Sequence, residues 1–259
     1  MLRALDECVK GGRWFSLMDK VWSLKISDGD LLQLVGMYLK QPVEDEGACE
    51  EPESGSPQGA VISPLLSNIY LDDLDQMMVR EGREMVRYAD DLVMLCRSER
   101  EAQEALARLM EWARANGLTV HAGKTRIVDS DERGGFDFLG YHFERGMKWP
   151  REKSVMKLRE AIRSRTRRAN GRSLEQIIGE INGMLRGWFA YFKHSKATTF
   201  GPIDGWIRMR LRSILRRRSG KRGRGRGSDH QRWPNDYFAR RGYFSLKAAH
   251  AVALRSSRR

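Results

Sequence analysis

Apolar residues recur every three or four positions in several separate stretches and alternate with polar ones in others. Leu31, Leu32, Leu34, Val35, Tyr38 and Leu39 mark one helical face over residues 27–40, with Ser27 as the predicted cap. Leu65, Leu66, Ile69, Tyr70, Leu74, Met77 and Met78 mark another over 63–80, where Ser63 suits the N-cap and Pro64 the first turn. Two short apolar runs, 84–87 and 92–96, enclose Tyr88-Ala89-Asp90-Asp91 and predict a β-hairpin with adjacent carboxylates at its tip. Ser98 and Glu101 form a capping-box pattern for a helix reaching Asn116, where Gly117 stops it. Short strands are predicted at 119–120, 125–128, 136–143 and 148–149.

The pattern changes near residue 151. Val155, Met156, Leu158, Ala161 and Ile162 alternate with Lys and Arg over 151–169, as on an amphipathic helix. Ser173 and Gln176 form a second capping box before Ile177, Ile178, Ile181, Leu185 and Trp188. Trp206, Ile207, Leu211 and Leu215 predict a third basic helix over 203–217. The fold class is therefore α+β: a small antiparallel sheet backed by helices, followed by an all-α domain. Trp188, Phe189, Tyr191 and Phe192 are expected in the helical core rather than as base-stacking platforms. The run 216–227 lacks apolar residues and predicts a flexible basic linker, whose arginines either grip phosphates or stay solvated. The acidic stretch 44–53 predicts a solvated loop or loosely paired hairpin.

Charge sharpens this division. The 259 residues carry a net charge of +13. Residues 1–150 hold 18 Lys+Arg against 27 Asp+Glu, whereas residues 151–259 hold 29 against 7. A basic half of this kind predicts a nucleic-acid partner bound through counterion release. The three cysteines, Cys8, Cys49 and Cys96, form no Cys-x-x-Cys pair, and no leader is visible, which predicts a cytoplasmic protein. The five histidines are scattered and make no zinc pattern, and no apolar run reaches membrane-spanning length.

The candidate chemistry lies in two places. Asp90 and Asp91 offer hard oxygen ligands that suit Mg²⁺, which completes its shell with water and substrate phosphate. Upstream, the Gly-, Ser- and Pro-rich loop that contains Ser56, Pro57, Gln58 and Gly59 precedes a helix. Its glycine admits close backbone approach, and Gln58 can hydrogen-bond a base or sugar.

Taken together, these stretches resemble the reverse transcriptase family, in particular the multifunctional proteins of bacterial group II introns. Ser56-Pro57-Gln58-Gly59 resembles the loop that contacts template and incoming nucleotide, and Tyr88-Ala89-Asp90-Asp91 the catalytic palm motif. The stretch Gly117 to Thr125 is similar to the next palm motif, whose lysine, here Lys124, points toward nucleotide phosphates. Phe138, Leu139, Gly140 and Tyr141 fall in a segment that resembles the primer grip. Leu185-Arg186-Gly187-Trp188-Phe189-Ala190-Tyr191-Phe192 resembles the helical thumb, or maturase domain, and 232–246 the C-terminal maturase segment.

The resemblance implies RNA-directed DNA synthesis from deoxynucleoside triphosphates by two-metal nucleotidyl transfer. Asp90 and Asp91 would be the metal ligands, with Mg²⁺ as cofactor and intron RNA and an RNA/DNA duplex as partners. Arg163, Arg165, Arg167, Arg168, Arg186, Arg216, Arg217 and Arg218 are the arginines expected to bind RNA. The implied organisation is an N-terminal segment 1–26, a partial palm 27–150, a thumb 151–218, a linker 219–231 and a C-terminal segment 232–259. One departure stands out. The family's first palm motif carries aspartate in a pattern like Asp-x-x-x-Phe-Phe-Asp, and no such pattern occurs here. Residues 9–21 resemble sequence that precedes the fingers, and residues 31–35 resemble palm sequence that follows the first motif. We therefore expect the fingers and the first catalytic strand to be missing from between them, which impairs polymerisation. The alternatives are a nonenzymatic RNA-binding maturase remnant and a degenerate fragment.

Overall fold

The computed structural model describes residues 2–4, 28–39, 43–45, 48–50, 63–169 and 171–256. They fall into two compact units, 1–129 and 130–259. The sequence division at residue 151 follows element type, whereas these units follow packing.

In the first unit, strand β1 (Leu2–Ala4) precedes helix α1 (Gly29–Leu39). Asp28 caps α1, its side chain accepting from the Asp30 and Leu31 N–H groups at 3.0 and 3.2 Å. Ser27, the expected cap, lies outside the described residues. Strands β2 (Val43–Asp45) and β3 (Ala48–Glu50) pair antiparallel within the acidic stretch. Helix α2 (Ser63–Arg80) then leads into β4 (Glu84–Tyr88), β5 (Asp91–Leu95) and helix α3 (Glu99–Ala115).

The sheet order is β1-β5-β4, all antiparallel, with Arg3 opposite Val93 and Val86 opposite Val93 on the other side. Leu92, Val93 and Met94 of the central strand are all buried. Tyr70, Leu71, Leu74 and Met78 of α2 and Ala105 and Leu109 of α3 form one core with Leu92 and Met94, and Leu32 of α1 packs against it. Leu74, Met78 and Leu109 are wholly excluded from water, and each such side chain contributes about 1.5–3 kcal/mol. Ser98 caps α3 by accepting from the Glu101 N–H at 3.2 Å. The strands expected at 119–120 and 125–128 do not form: 122–124 is a turn, and Ile127 makes only an isolated bridge.

The second unit opens with a three-stranded sheet, β6 (Phe136–Phe138), β7 (Tyr141–Glu144) and β8 (Met147–Pro150). The single strand expected over 136–143 is thus a tight hairpin, because Leu139 and Gly140 both take positive φ, +47° and +79°. Helices α4 (Glu152–Arg165), α5 (Leu174–Phe192) and α6 (Phe200–Arg218) follow. The Ser173–Gln176 capping box forms in full, at 2.9 and 3.1 Å. Two short helices, α7 (Asp229–Arg232) and α8 (Asn235–Ala239), precede α9 (Leu246–Ser256), which packs on α6. Leu158 and Ile162 of α4, Ile177, Ile178 and Ile181 of α5, and Ile203, Ile207 and Leu211 of α6 form one core with Phe238 and Leu246. Trp188 and Phe189 pack against it and Phe192 is buried, as expected, while Tyr191 remains exposed.

The basic run 219–227 is not a free linker. Gly225 is buried, its N–H donates to the Ser213 hydroxyl at 3.0 Å, and a Cβ there would sit 2.5 Å from the Arg212 Cβ. Glycine's lack of a side chain lets this strip lie directly on α6, a packing signal that polar composition hides.

Candidate functional site

The hairpin tip is held by an arginine fork. Arg87 of β4 grips Asp75 of α2 through Nε and Nη2 at 2.8 and 2.5 Å, and donates to Asn68 Oδ1 at 3.1 Å and to the Ala89 carbonyl at 2.8 Å. Ala89 has φ +53°, an unusual conformation for a residue with a Cβ, and the fork fixes the carbonyl of that residue. Tyr88 and Asp91 face each other across the turn. Tyr88 is two-thirds exposed, while Asp90 and Asp91 are half-buried. Lys124 lies in the exposed turn after α3, its N–H bonded to the His121 carbonyl at 3.1 Å. Ser56, Pro57, Gln58 and Gly59 lie outside the described residues. Sequence reasoning missed Arg87 and Asp75. The available signal was an arginine two residues before the turn beside an acid-rich helix, Asp72, Asp73 and Asp75.

Phe138, Leu139, Gly140 and Tyr141 form the β6–β7 turn and its flanks. Two tyrosines lock it reciprocally. The Tyr191 hydroxyl donates to the Leu139 carbonyl at 2.6 Å, and the Tyr141 hydroxyl donates to the Tyr191 carbonyl at 2.5 Å. Burial, reinforced by Tyr191, raises the Tyr141 hydroxyl pKa above its ordinary value, against a lowering contact from Ser195. The Ser154 hydroxyl and the Arg151 N–H both donate to the Gly140 carbonyl, at 3.1 and 2.9 Å. This hairpin is therefore built into the helical unit through α4 and α5.

The basic arginines divide into two groups. Arg163, Arg165, Arg167 and Arg168 are exposed at the end of α4 and just beyond it, and Arg186 is exposed on α5 with its guanidinium 4.7 Å from the Phe244 ring. Arg217 and Arg218 are exposed at the end of α6. Arg216 is committed to the fold instead: it pairs with buried Asp229 at 2.7 Å and donates to the Arg222 carbonyl at 2.8 Å. Desolvation works against the Asp229 carboxylate, but the Arg226 N–H and Arg216 hold its pKa below the ordinary value. Arg212 is buried, donating to the Trp233 carbonyl and Asn235 Oδ1 at 2.8 and 2.9 Å, and desolvation lowers its pKa. The acids of this unit are largely engaged: Asp204 with Arg208, Glu175 with Arg241, Glu180 with Arg172, and Asp137 and Glu144 with His142. A groove lined by Arg165, Arg167, Arg172, Glu180 and Met184 opens beside the α4–α5 connection.

A family profile described as reverse transcriptase (RNA-dependent DNA polymerase) matches residues 14–143, half of the chain, and includes the Tyr88–Asp91 hairpin. The chain belongs to the reverse transcriptase family. A second profile, the maturase-specific domain of group II introns, matches residues 155–233, so the chain resembles the reverse transcriptase/maturases of group II introns. The chain is 27% identical to protein YkfC of Escherichia coli K12 over 164 residues, 50% of this chain and 42% of that protein. It is 40% identical to the group II intron-encoded protein LtrA of Lactococcus lactis subsp. cremoris over 58 residues, 22% of this chain and 10% of LtrA. It is 24% identical to an uncharacterized 91 kDa protein in a cob intron of Schizosaccharomyces pombe over 259 residues, 66% of this chain and 32% of that protein. The chain thus spans less than half the length of these curated relatives.

Reverse transcriptases generally use divalent metal ions, so the donor set of this family member matters. Two-metal transfer needs carboxylates converging from more than one element. Among the described residues, no group of three or more His, Cys, Asp and Glu side chains could hold a metal ion. Asp90 and Asp91 are adjacent acids on one turn, and the described residues do not fit a two-metal centre. Among the described residues, no helix is long and apolar enough to cross a membrane.

Proposed function

We propose that this chain acts as a maturase-type protein that binds intron RNA through its helical unit, with RNA-directed DNA synthesis from deoxynucleoside triphosphates lost or strongly reduced. The observation that carries this reading is the surplus of positive charge in the second unit. Residues 130–259 hold 32 Lys+Arg against 11 Asp+Glu, and most of those acids already have internal partners. Exposed arginines such as Arg163 on α4, Arg186 on α5 and Arg217 on α6 face solvent, where they can meet an external polyanion. Absence of the Asp-x-x-x-Phe-Phe-Asp pattern supports the second half of the proposal.

Two measurements test it. Binding to a structured group II intron RNA should weaken steeply with salt; binding that is flat in salt, or absent at 50 mM salt, would refute the RNA-binding role. Primer extension on an RNA template with Mg²⁺ should give incorporation no different from that of Asp90→Ala. Templated incorporation abolished by Asp90→Ala would instead establish polymerisation, the reading favoured by the retained Tyr88–Asp91 hairpin.

A further inference from the structure

Trp206 of α6 is half-buried beneath three guanidiniums. The Arg210 guanidinium lies 5.3 Å from its ring centroid, that of Arg159 5.7 Å and that of Arg163 5.8 Å. Arg159 and Arg163 stand one turn apart on α4, and Trp206 and Arg210 one turn apart on α6. Arg210 is held rigidly: its Nε donates to the Thr166 hydroxyl at 2.6 Å and its Nη2 to the Thr166 carbonyl at 2.9 Å. Among the described residues, no carboxylate pairs with Arg159, Arg163 or Arg210. The Arg159 Nε is buried and meets no acceptor there. Desolvation lowers the Arg210 pKa, and repulsion from Arg163 and Arg168 lowers it further, so the cluster is under like-charge stress. The indole π face offsets part of that stress, but it is a far weaker acceptor for the Arg159 N–H than an anionic oxygen.

We propose that Arg159, Arg163 and Arg210 around Trp206 form a phosphate-binding site. A phosphate group offers acceptor oxygens in the geometry guanidinium forks match, and its charge relieves the mutual repulsion. The same chemistry is carried by an RNA backbone phosphate and by a free polyphosphate. Assigning the phosphate to RNA rests on the proposed function, whereas the site itself does not.

The test uses the full chain and two probes, a single-stranded RNA oligonucleotide and inorganic tripolyphosphate. The variants are Arg163→Gln and the double variant Arg159→Gln/Arg163→Gln, with Arg100→Gln in the first unit as control. If the site takes backbone phosphate, affinity for the oligonucleotide falls about tenfold per arginine, and the log–log salt slope shallows by about 0.7 per lost contact. If it takes a free polyphosphate, only tripolyphosphate binding falls in the variants. Either result supports the site, and both leave Arg100→Gln unchanged. Ligand-free melting provides a second readout: relief of repulsion keeps or raises the Tm of Arg163→Gln, whereas a purely structural arginine would lower it. Unchanged binding of both probes in the double variant overturns the site, as does a fall in Tm without a change in binding. Wild-type protein that binds tripolyphosphate but neither the oligonucleotide nor a structured group II intron RNA would sink the proposed function and spare the site.

Discussion

At the residue scale, two positions make contrasting claims that substitution can check. Gly225 sits where a methyl group would overlap Arg212, so Gly225→Ala forces α6 and the basic strip apart. It should cost about 1–3 kcal/mol by thermal or urea unfolding, the range for overpacking, while Arg224→Ala beside it should be neutral. Equal, near-zero effects would mean that the strip does not pack on α6. Arg87 makes the second claim. Arg87→Lys retains the charge but loses the fork that spans Asp75, Asn68 and the Ala89 carbonyl. A lysine can serve one or two of those acceptors at a time, so the variant should lose about 1–2 kcal/mol of stability, and Arg87→Ala more. A Lys variant as stable as wild type would show that charge alone holds the turn.

At the element scale, one buried carboxylate attaches the last helix. Asp204, wholly buried in α6, accepts from the Leu246 and Lys247 N–H groups at 3.1 and 3.0 Å, and from the Ser245 and Tyr243 hydroxyls at 2.7 and 2.8 Å. It caps α9 from another helix, and burial together with its charge drives the Tyr243 hydroxyl pKa well above the ordinary value. Asp204→Ala leaves four donors unmet and should cost about 3 kcal/mol or more, with α9 amides exchanging with solvent faster than those of α4. The Arg216–Asp229 pair adds a pH signature. A carboxylate whose folded pKa is depressed contributes stability above its unfolded value near 3.8, and that contribution is lost as pH falls toward the folded value. Acid unfolding below about pH 4 should therefore be shallower in Asp229→Asn than in wild type. Elements of this size were legible where periodicity and caps agree: α3 and the Ser173-capped α5 lie where the spacing of apolar residues puts them, and α2 follows its periodicity, with Ser63 inside the helix rather than at its cap. The β6–β7 turn was not legible, because Leu139 takes a positive φ under tyrosine hydrogen bonds from distant sequence. The Asp204 cap and the buried Gly225 were hidden for the same reason: polar residues and glycines between periodic segments look alike until their partners in space are known.

At the scale of the whole molecule, charge is sorted by unit rather than spread over the surface. The first unit carries 15 Lys+Arg against 23 Asp+Glu, and the second 32 against 11. Such sorting makes a prediction that single substitutions cannot. RNA cross-linked to the full chain with ultraviolet light should attach to peptides within 130–256 and spare 63–129, because an acidic unit repels the same phosphates the basic one attracts. Raising salt should remove those cross-links without redistributing them. Six phosphate contacts on single-stranded RNA give a log–log slope of about −4, so moving from 50 to 200 mM salt should weaken binding by about 300-fold. Asp90→Asn should leave both the cross-link pattern and the slope unchanged, since the hairpin acids lie in the acidic unit. Cross-links concentrated near Tyr88 or Lys124 would instead mean that the palm hairpin engages nucleic acid despite its surroundings. The retained hairpin would then be a working part of the protein rather than a scaffold.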